Sequence, residues 1–159
     1  MTIVFVMKKT IVFLGLFAVL LFGIISPVSA VTVTVGDAVY TVSPMAKNSG
    51  DYSVMALPII GSIFDGETKS YIYDVDSGST ELEIELSWLL PTSGSALSIS
   101  VFNPNGNLVG QYYDTYDGKE DGNIGIRISG NSLGGDWTIF VNGDNVVGIQ
   151  LFTLTINEY

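Results

Sequence analysis

Glu81-Leu82-Glu83-Ile84-Glu85-Leu86-Ser87-Trp88 alternates between polar and apolar residues without a fault. Successive side chains of an extended strand point to opposite faces. Leu82, Ile84, Leu86 and Trp88 are therefore expected to face a core, and Glu81, Glu83 and Glu85 to face water. A helix would spread those four apolar side chains around its axis. The period of two is the rule to carry outward along the chain.

Downstream it recurs. Leu97, Ile99 and Val101 alternate with Ser98 and Ser100, and Ile124, Ile126 and Ile128 with Gly125 and Arg127. Trp137, Ile139 and Val141 follow, and Phe152, Leu154 and Ile156 alternate with Thr153 and Thr155. Asn103-Pro104-Asn105-Gly106 is a turn signal, since Pro presets φ and Asn-Gly accepts a positive φ. Further strands are expected at 70–75 and 108–113. Upstream, Thr32–Val35 and Ala38–Val42 flank Gly36-Asp37 as the arms of a hairpin, and residues 44–51 read as a loop. No stretch after residue 30 has a helical period. Short strands punctuated by Gly, Asn and Asp, each apolar on one face, predict an all-β fold: an antiparallel β-sandwich, jelly-roll-like, of about eight strands.

The first thirty residues are of another kind. Lys8 and Lys9 precede an uncharged apolar run from Thr10 to Ile25; Pro27 breaks it, and Val28-Ser29-Ala30 offers small residues to a signal peptidase. This is the layout of a secretory signal peptide, 1–30, with cleavage expected after Ala30. Met7-Lys8-Lys9 offers a second start. An uncleaved anchor is the alternative, although the run is short for a membrane span of about 20 residues. The expected division is then a signal peptide, an N-terminal strand or hairpin extension over 31–57, and a sandwich domain over 58–159.

Two of the six cationic residues, Lys8 and Lys9, lie in the signal, and none of the sixteen acidic ones does. Residues 31–159 thus set four cations against sixteen acids, a net charge of −12. Phosphate binding needs clustered Lys and Arg, so nucleic acid is excluded as a partner. An anionic membrane surface repels such a chain, and membrane contact is expected only through an uncleaved signal segment. Cations are its natural small partners. The chain has no Cys, so it must stand on its core without disulfides, in keeping with a prokaryotic surface protein. At 129 residues this is feasible, since roughly two-thirds of the chain's surface is buried on folding.

Several stretches, in order, resemble the bacterial pre-peptidase C-terminal domain. Gly61-Ser62-Ile63-Phe64-Asp65-Gly66-Glu67-Thr68-Lys69-Ser70-Tyr71 looks like its opening strand and Gly-Glu/Asp-Thr turn. Val75 to Leu82 is similar to the turn that follows, and Leu97 to Gly106 to the family's hairpin ending in Asp/Asn-Pro-Asn-Gly. Gly135-Asp136-Trp137-Thr138-Ile139-Phe140-Val141-Asn142-Gly143 resembles its Gly-x-Trp/Tyr strand, and Gln150 to Ile156 its closing strand. The resemblance spans about residues 58–157. It implies a β-sandwich accessory domain of the kind appended to secreted proteases and surface enzymes, here with no protease before it.

Candidate chemistry is sparse. Gly130-Asn131-Ser132-Leu133-Gly134 matches the G-x-S-x-G elbow of hydrolases, but that motif needs a following helix and a His; a strand follows here and the chain has no His. A Gly-rich turn is the simpler reading. Lys47, Lys69 and Lys119 lie in polar stretches, unsuited to the buried, depressed-pKa Lys of Ser–Lys catalysis. No catalytic residues and no enzymatic activity are expected. Asp114-Thr115-Tyr116-Asp117-Gly118-Lys119-Glu120-Asp121-Gly122-Asn123 carries four carboxylates in ten residues, the oxygen-rich composition that Ca²⁺ prefers. Asp114, Asp117, Glu120 and Asp121 are the candidate metal ligands, and Ca²⁺ is the one candidate cofactor; a solvated acidic loop is the alternative. A second acidic stretch, Asp74 to Gly78 with Glu85 at the twelfth place, approaches a calcium-loop spacing but has Ser79 where a Gly is required. Tyr112, Tyr113 and Tyr116 beside the acidic loop are candidate ligand-binding residues, since tyrosine offers flat apolar area with a polar tip. If that segment is a strand, Tyr112 and Tyr113 point opposite ways. Trp88 and Trp137 fall in register with core positions and read as packing. The expectation is a secreted or cell-surface binding or accessory module for an extracellular polysaccharide or protein, or for a secreted enzyme. The alternative is a structural subunit of a cell-envelope assembly.

Overall fold

Ten strands and one 3₁₀ turn form in the computed structural model, which describes residues 29–45, 58–89, 96–131 and 133–159. The strands are β1 (Val31–Val35), β2 (Ala38–Pro44), β3 (Ile59–Ile63), β4 (Thr68–Val75), β5 (Glu81–Trp88), β6 (Ala96–Phe102), β7 (Leu108–Tyr113), β8 (Asn123–Ser129), β9 (Gly135–Asn145) and β10 (Gln150–Glu158). The 3₁₀ turn, Asp114–Asp117, follows β7. One sheet runs β1-β2-β8-β5-β10-β3 and the other β4-β9-β6-β7, and every pairing is antiparallel.

Strands β3 to β10 divide into two four-stranded halves, β8-β5-β10-β3 and β4-β9-β6-β7. That connectivity is a jelly roll. The β1–β2 hairpin turns tightly, with Val35 opposite Ala38 and Gly36 at φ 62°, and adds to the first sheet along β8. This hairpin, expected at 32–42, brings the strands among the described residues to ten, against about eight expected for the fold. Residues 46–57, which hold most of the loop expected at 44–51, lie outside the described residues; Pro44 of that stretch ends β2, and the Met45 N–H donates to the Gly125 carbonyl.

The dry interior comes from alternate residues, as the period of two dictates. Leu82, Ile84, Leu86, Ile126, Ile128, Ile139 and Leu154 are fully buried between the layers. Trp88 and Trp137 are buried as well. The Trp137 indole N–H donates to the Leu133 carbonyl at 2.6 Å, which satisfies the one polar group of a fully buried ring. Tyr40 of β2 meets Trp137 edge-on at 5.5 Å and ties the hairpin to the jelly roll. The Asn103-Pro104-Asn105-Gly106 turn is held by the buried Asn103: its Oδ1 accepts the N–H groups of Asn105 and Asn107, and Nδ2 donates to Tyr40 Oη. Gly61 is there for space. A β-carbon on it would lie 2.4 Å from the Phe152 ring, which crosses β3 at that point.

One expectation needs correcting. Glu83 does not face open water; it is 6% exposed, while Glu81 and Glu85 are half-buried. Arg127, its register partner on β8, lies across it with Nη2 at 2.5 Å and Nε at 3.1 Å from Oε1. Tyr159 Oη donates to Oε2 at 3.3 Å. Alternation assigns a side chain to a face of a sheet, but it does not reveal what lies over that face.

Candidate functional site

The three tyrosines do not form one exposed surface. Tyr112 points inward and is buried, its hydroxyl lying over Gly110, and burial pushes that hydroxyl's pKa well above the ordinary tyrosine value. Tyr116, in the 3₁₀ turn, packs edge-on against Tyr112 at 4.9 Å and is shifted upward by burial too. Tyr113 alone stands out, 49% exposed.

The acidic loop is closed by its own first residue. Asp114 Oδ1 accepts the backbone N–H groups of Asp121, Gly122 and Asn123 at 3.1–3.2 Å, and Oδ2 accepts that of Gly122. Asp117 Oδ1 accepts the Lys119 N–H, while Gly118 and Gly122 take the positive φ values of the bends. Among the described residues no three acidic side chains come together as a ligand set. Asp114, Asp117, Glu120 and Asp121 are thus brought into one loop but not around one point. Among the described residues, Oδ1 of Asp121 and Oδ1 of Asn123 are buried acceptors without a donor from the protein. The second acidic stretch is split. Asp74 belongs to β4 and Glu85 to β5, in different sheets, and Glu85 Oε1 accepts from Asn123 Nδ2. Ser132 and Lys47 lie outside the described residues. Lys69 pairs with Glu67 at 3.3 Å, and Lys119 is exposed.

A surface that the motifs do not announce lies on the outer face of the second sheet. Register partners across β4, β9, β6 and β7 read Thr68–Asn142–Ser98–Tyr113 in one row and Ser70–Phe140–Ser100–Gln111 in the next. The third row is Ile72–Thr138–Phe102–Leu108. None of these twelve positions is charged; Asp74 and Asp136, opposite each other, begin the row beyond. The polar groups form a chain. Thr68 Oγ1 donates to Asn142 Oδ1 at 3.0 Å, Asn142 Nδ2 donates to Ser98 and Ser100 Oγ at 3.3 and 3.4 Å, and Gln111 Nε2 donates to Ser98 Oγ at 3.3 Å. Phe102 and Phe140 pack edge-on at 5.4 Å beside this chain, and Tyr113 stands at its end. At about 4.8 Å between strands the track is roughly 14 Å wide. Ser98 is fully buried under its neighbours; the other amides and hydroxyls of the track can both donate and accept, so it offers neutral hydrogen bonding next to flat apolar rings. The sequence signal was present as Ser98, Ser100, Gln111 and Asn142 at polar strand positions, but only the pairing order sets them side by side.

A second uncharged surface lies on the outer face of the first sheet. Ile60, Ser87, Leu89 and the segment Ile149 to Thr153 line a shallow concavity of about 510 Å³. Ile60, Leu89, Ile149 and Leu151 are each more than half exposed there. The concavity adjoins β3, which among the described residues is the edge of the sheet and is paired only with β10. Among the described residues no helix is long and apolar enough to cross a membrane. Comparison with known proteins gives no matching family model and no matching curated protein.

Proposed function

We propose that the chain is a secreted or cell-surface, non-catalytic module that binds a neutral extracellular polysaccharide along the outer face of the β4-β9-β6-β7 sheet. The observation that carries this reading is the uncharged track of amides, hydroxyls and aromatic rings in a chain of formal net charge −10. Sugar hydroxyls both donate and accept, as do Thr68, Ser70, Ser100 and Gln111 above the fully buried Ser98, and the apolar faces of sugar rings suit Tyr113 and the Phe102–Phe140 pair. A flat sheet face that leaves both ends of a polymer free fits binding better than turnover. The resemblance of the motif order to pre-peptidase C-terminal domains supports an accessory role, and the layout of residues 1–30 supports export. Mass spectrometry of the exported protein is expected to find Val31 as its first residue.

Retention of residues 31–159 on insoluble cellulose, xylan and chitin tests the binding. Retention by at least one, lost in the Tyr113→Ala/Gln111→Ala double variant, is the expected result. No retention on any of the three, or retention indifferent to the double variant, would overturn it. A second reading, a structural subunit of a cell-envelope assembly, is favoured by the β3 edge, which among the described residues is paired on one side only.

A further inference from the structure

Each sheet of a sandwich has two edges, and an edge strand offers unpaired N–H and C=O groups to any passing strand unless something blunts it. Three of the four edges here are managed. β4 carries Lys69 and Asp74, and β1 and β7 approach each other on the far side of the sandwich. β3 is different. Ile59-Ile60-Gly61-Ser62-Ile63 contains no charge and no proline, and among the described residues it pairs with β10 on one side and with no strand on the other. Ile60 is 79% exposed on the outer face, beside Leu151 at 64% and within the uncharged concavity.

We infer that β3 pairs antiparallel with β3 of a second copy across a two-fold axis, joining the two six-stranded sheets into one. A second copy fits this edge for two reasons. First, an antiparallel copy of the same strand presents C=O to N–H and N–H to C=O at matching spacing, the isologous arrangement of most dimers. Second, charge restricts where two copies can meet. Each carries a formal net charge of −10, and the lining of this concavity includes no charged residue. Two copies approaching here place Ile60 beside Ile60 and extend each apolar concavity into the other, without setting carboxylates face to face. This inference goes beyond polysaccharide binding and does not depend on it. If both hold, the dimer presents two binding tracks and gains avidity on a polymer.

Light scattering coupled to size exclusion on residues 31–159, which hold all ten strands, tests it over a range of concentrations. The expected mass is twice that of the chain, with dimerisation strengthened by added salt as like-charge repulsion is screened. Ile60→Lys, and independently Leu151→Lys, should give the monomer mass with an unchanged far-UV circular-dichroism spectrum, since both positions are exposed in the single chain. Thr34→Lys on the β1 edge should leave the dimer intact. A monomer at every concentration, a dimer that survives Ile60→Lys, or equal loss with Thr34→Lys would overturn the inference. A monomer that is still retained on a polysaccharide, with loss in the Tyr113→Ala/Gln111→Ala variant, would refute the dimer alone.

Discussion

Arg127 touches two glutamates, Glu83 through both Nη2 and Nε and Glu81 through Nε alone, and the two pairs are expected to be worth very different amounts. Arg127 Nε lies 3.1 Å from Oε1 of Glu81 and of Glu83, but the Glu83 side chain is 7% exposed and that of Glu81 is 32% exposed. Breaking a fully buried ion pair from one side costs about 3–5 kcal/mol, because a charge is left buried without a partner. The Arg127 side chain is 45% exposed, so solvent screens part of this. Tyr159 Oη still donates to the stranded Glu83 carboxylate. Arg127→Met, which keeps the stem and removes the charge, is therefore expected to cost about 2 kcal/mol. In double-mutant cycles with Glu83→Gln and with Glu81→Gln, the coupling of Arg127 to Glu83 should be about 1–2 kcal/mol and that to Glu81 about 0.5 kcal/mol or less. Urea unfolding followed by tryptophan fluorescence measures both, since Trp88 and Trp137 are buried in the fold and exposed on unfolding. Repeating the cycles at about 0.5 M salt should erase the Glu81 coupling and leave most of the other. Equal couplings, or a Glu83 coupling below about 0.5 kcal/mol, would refute the burial argument.

Three further outcomes are expected. Gly143→Ala should destabilise the fold by about 1–3 kcal/mol in the same urea assay, because the new β-carbon would sit 2.3 Å from the Phe64 backbone oxygen; a neutral substitution would contradict the packing of β9 against the β3–β4 turn. Calcium at about 10 mM should shift the melting temperature by less than about 1 °C, since Asp114 is spent on backbone N–H groups; a site of sub-millimolar affinity would instead add about 1.4–2.7 kcal/mol, and such a rise lost in Asp121→Asn would establish a calcium site. Alkali should unfold the protein cooperatively. Burial raises the pKa of Tyr71, Tyr73, Tyr112 and Tyr116, so their stabilisation is complete below the ordinary tyrosine value near 10 and is lost as pH climbs above it. Tyrosinate absorbance of Tyr112 or Tyr116, read as the difference from the corresponding Phe variant, that rises well before the tryptophan signal changes would show those rings to be solvated.

Much of the fold is legible in local alternation, for a plain reason. Leu82, Ile84, Leu86 and Trp88, like Ile124, Ile126 and Ile128, announce a buried face because a strand gives every second residue the same surroundings, whichever strand lies beside it. The turn at Asn103 is legible because Asn, Pro and Gly carry their backbone preferences with them. Neighbour order is not local. Nothing in Glu81–Trp88 states that β8 and β10 flank it, so the buried partnership of Glu83 with Arg127 was hidden, as was the meeting of Asn142 with Ser98. The pair Tyr112-Tyr113 shows the same limit on a smaller scale: one ring had to point inward, and the pairing of Tyr112 with Ile99 decides which. The composition of the acidic loop leaves two readings open, because four carboxylates in ten residues suit an ion while the backbone N–H groups of Asp121, Gly122 and Asn123 take Asp114 as their acceptor.

The claim on which the rest stands is that β10 lies between β3 and β5 in this register, closing a jelly roll on an alternating core. A cysteine-free chain allows a direct test with Ser87→Cys and Thr153→Cys, half-buried register partners on the outer face of the first sheet. Directly opposed residues of antiparallel strands have Cα atoms about 4.5–5.5 Å apart, within disulfide reach. Mild oxidation should therefore give one intramolecular disulfide, read by mass spectrometry as the loss of two hydrogens and of both free thiols. Two thiols that stay free under those conditions would place β10 elsewhere and contradict the fold.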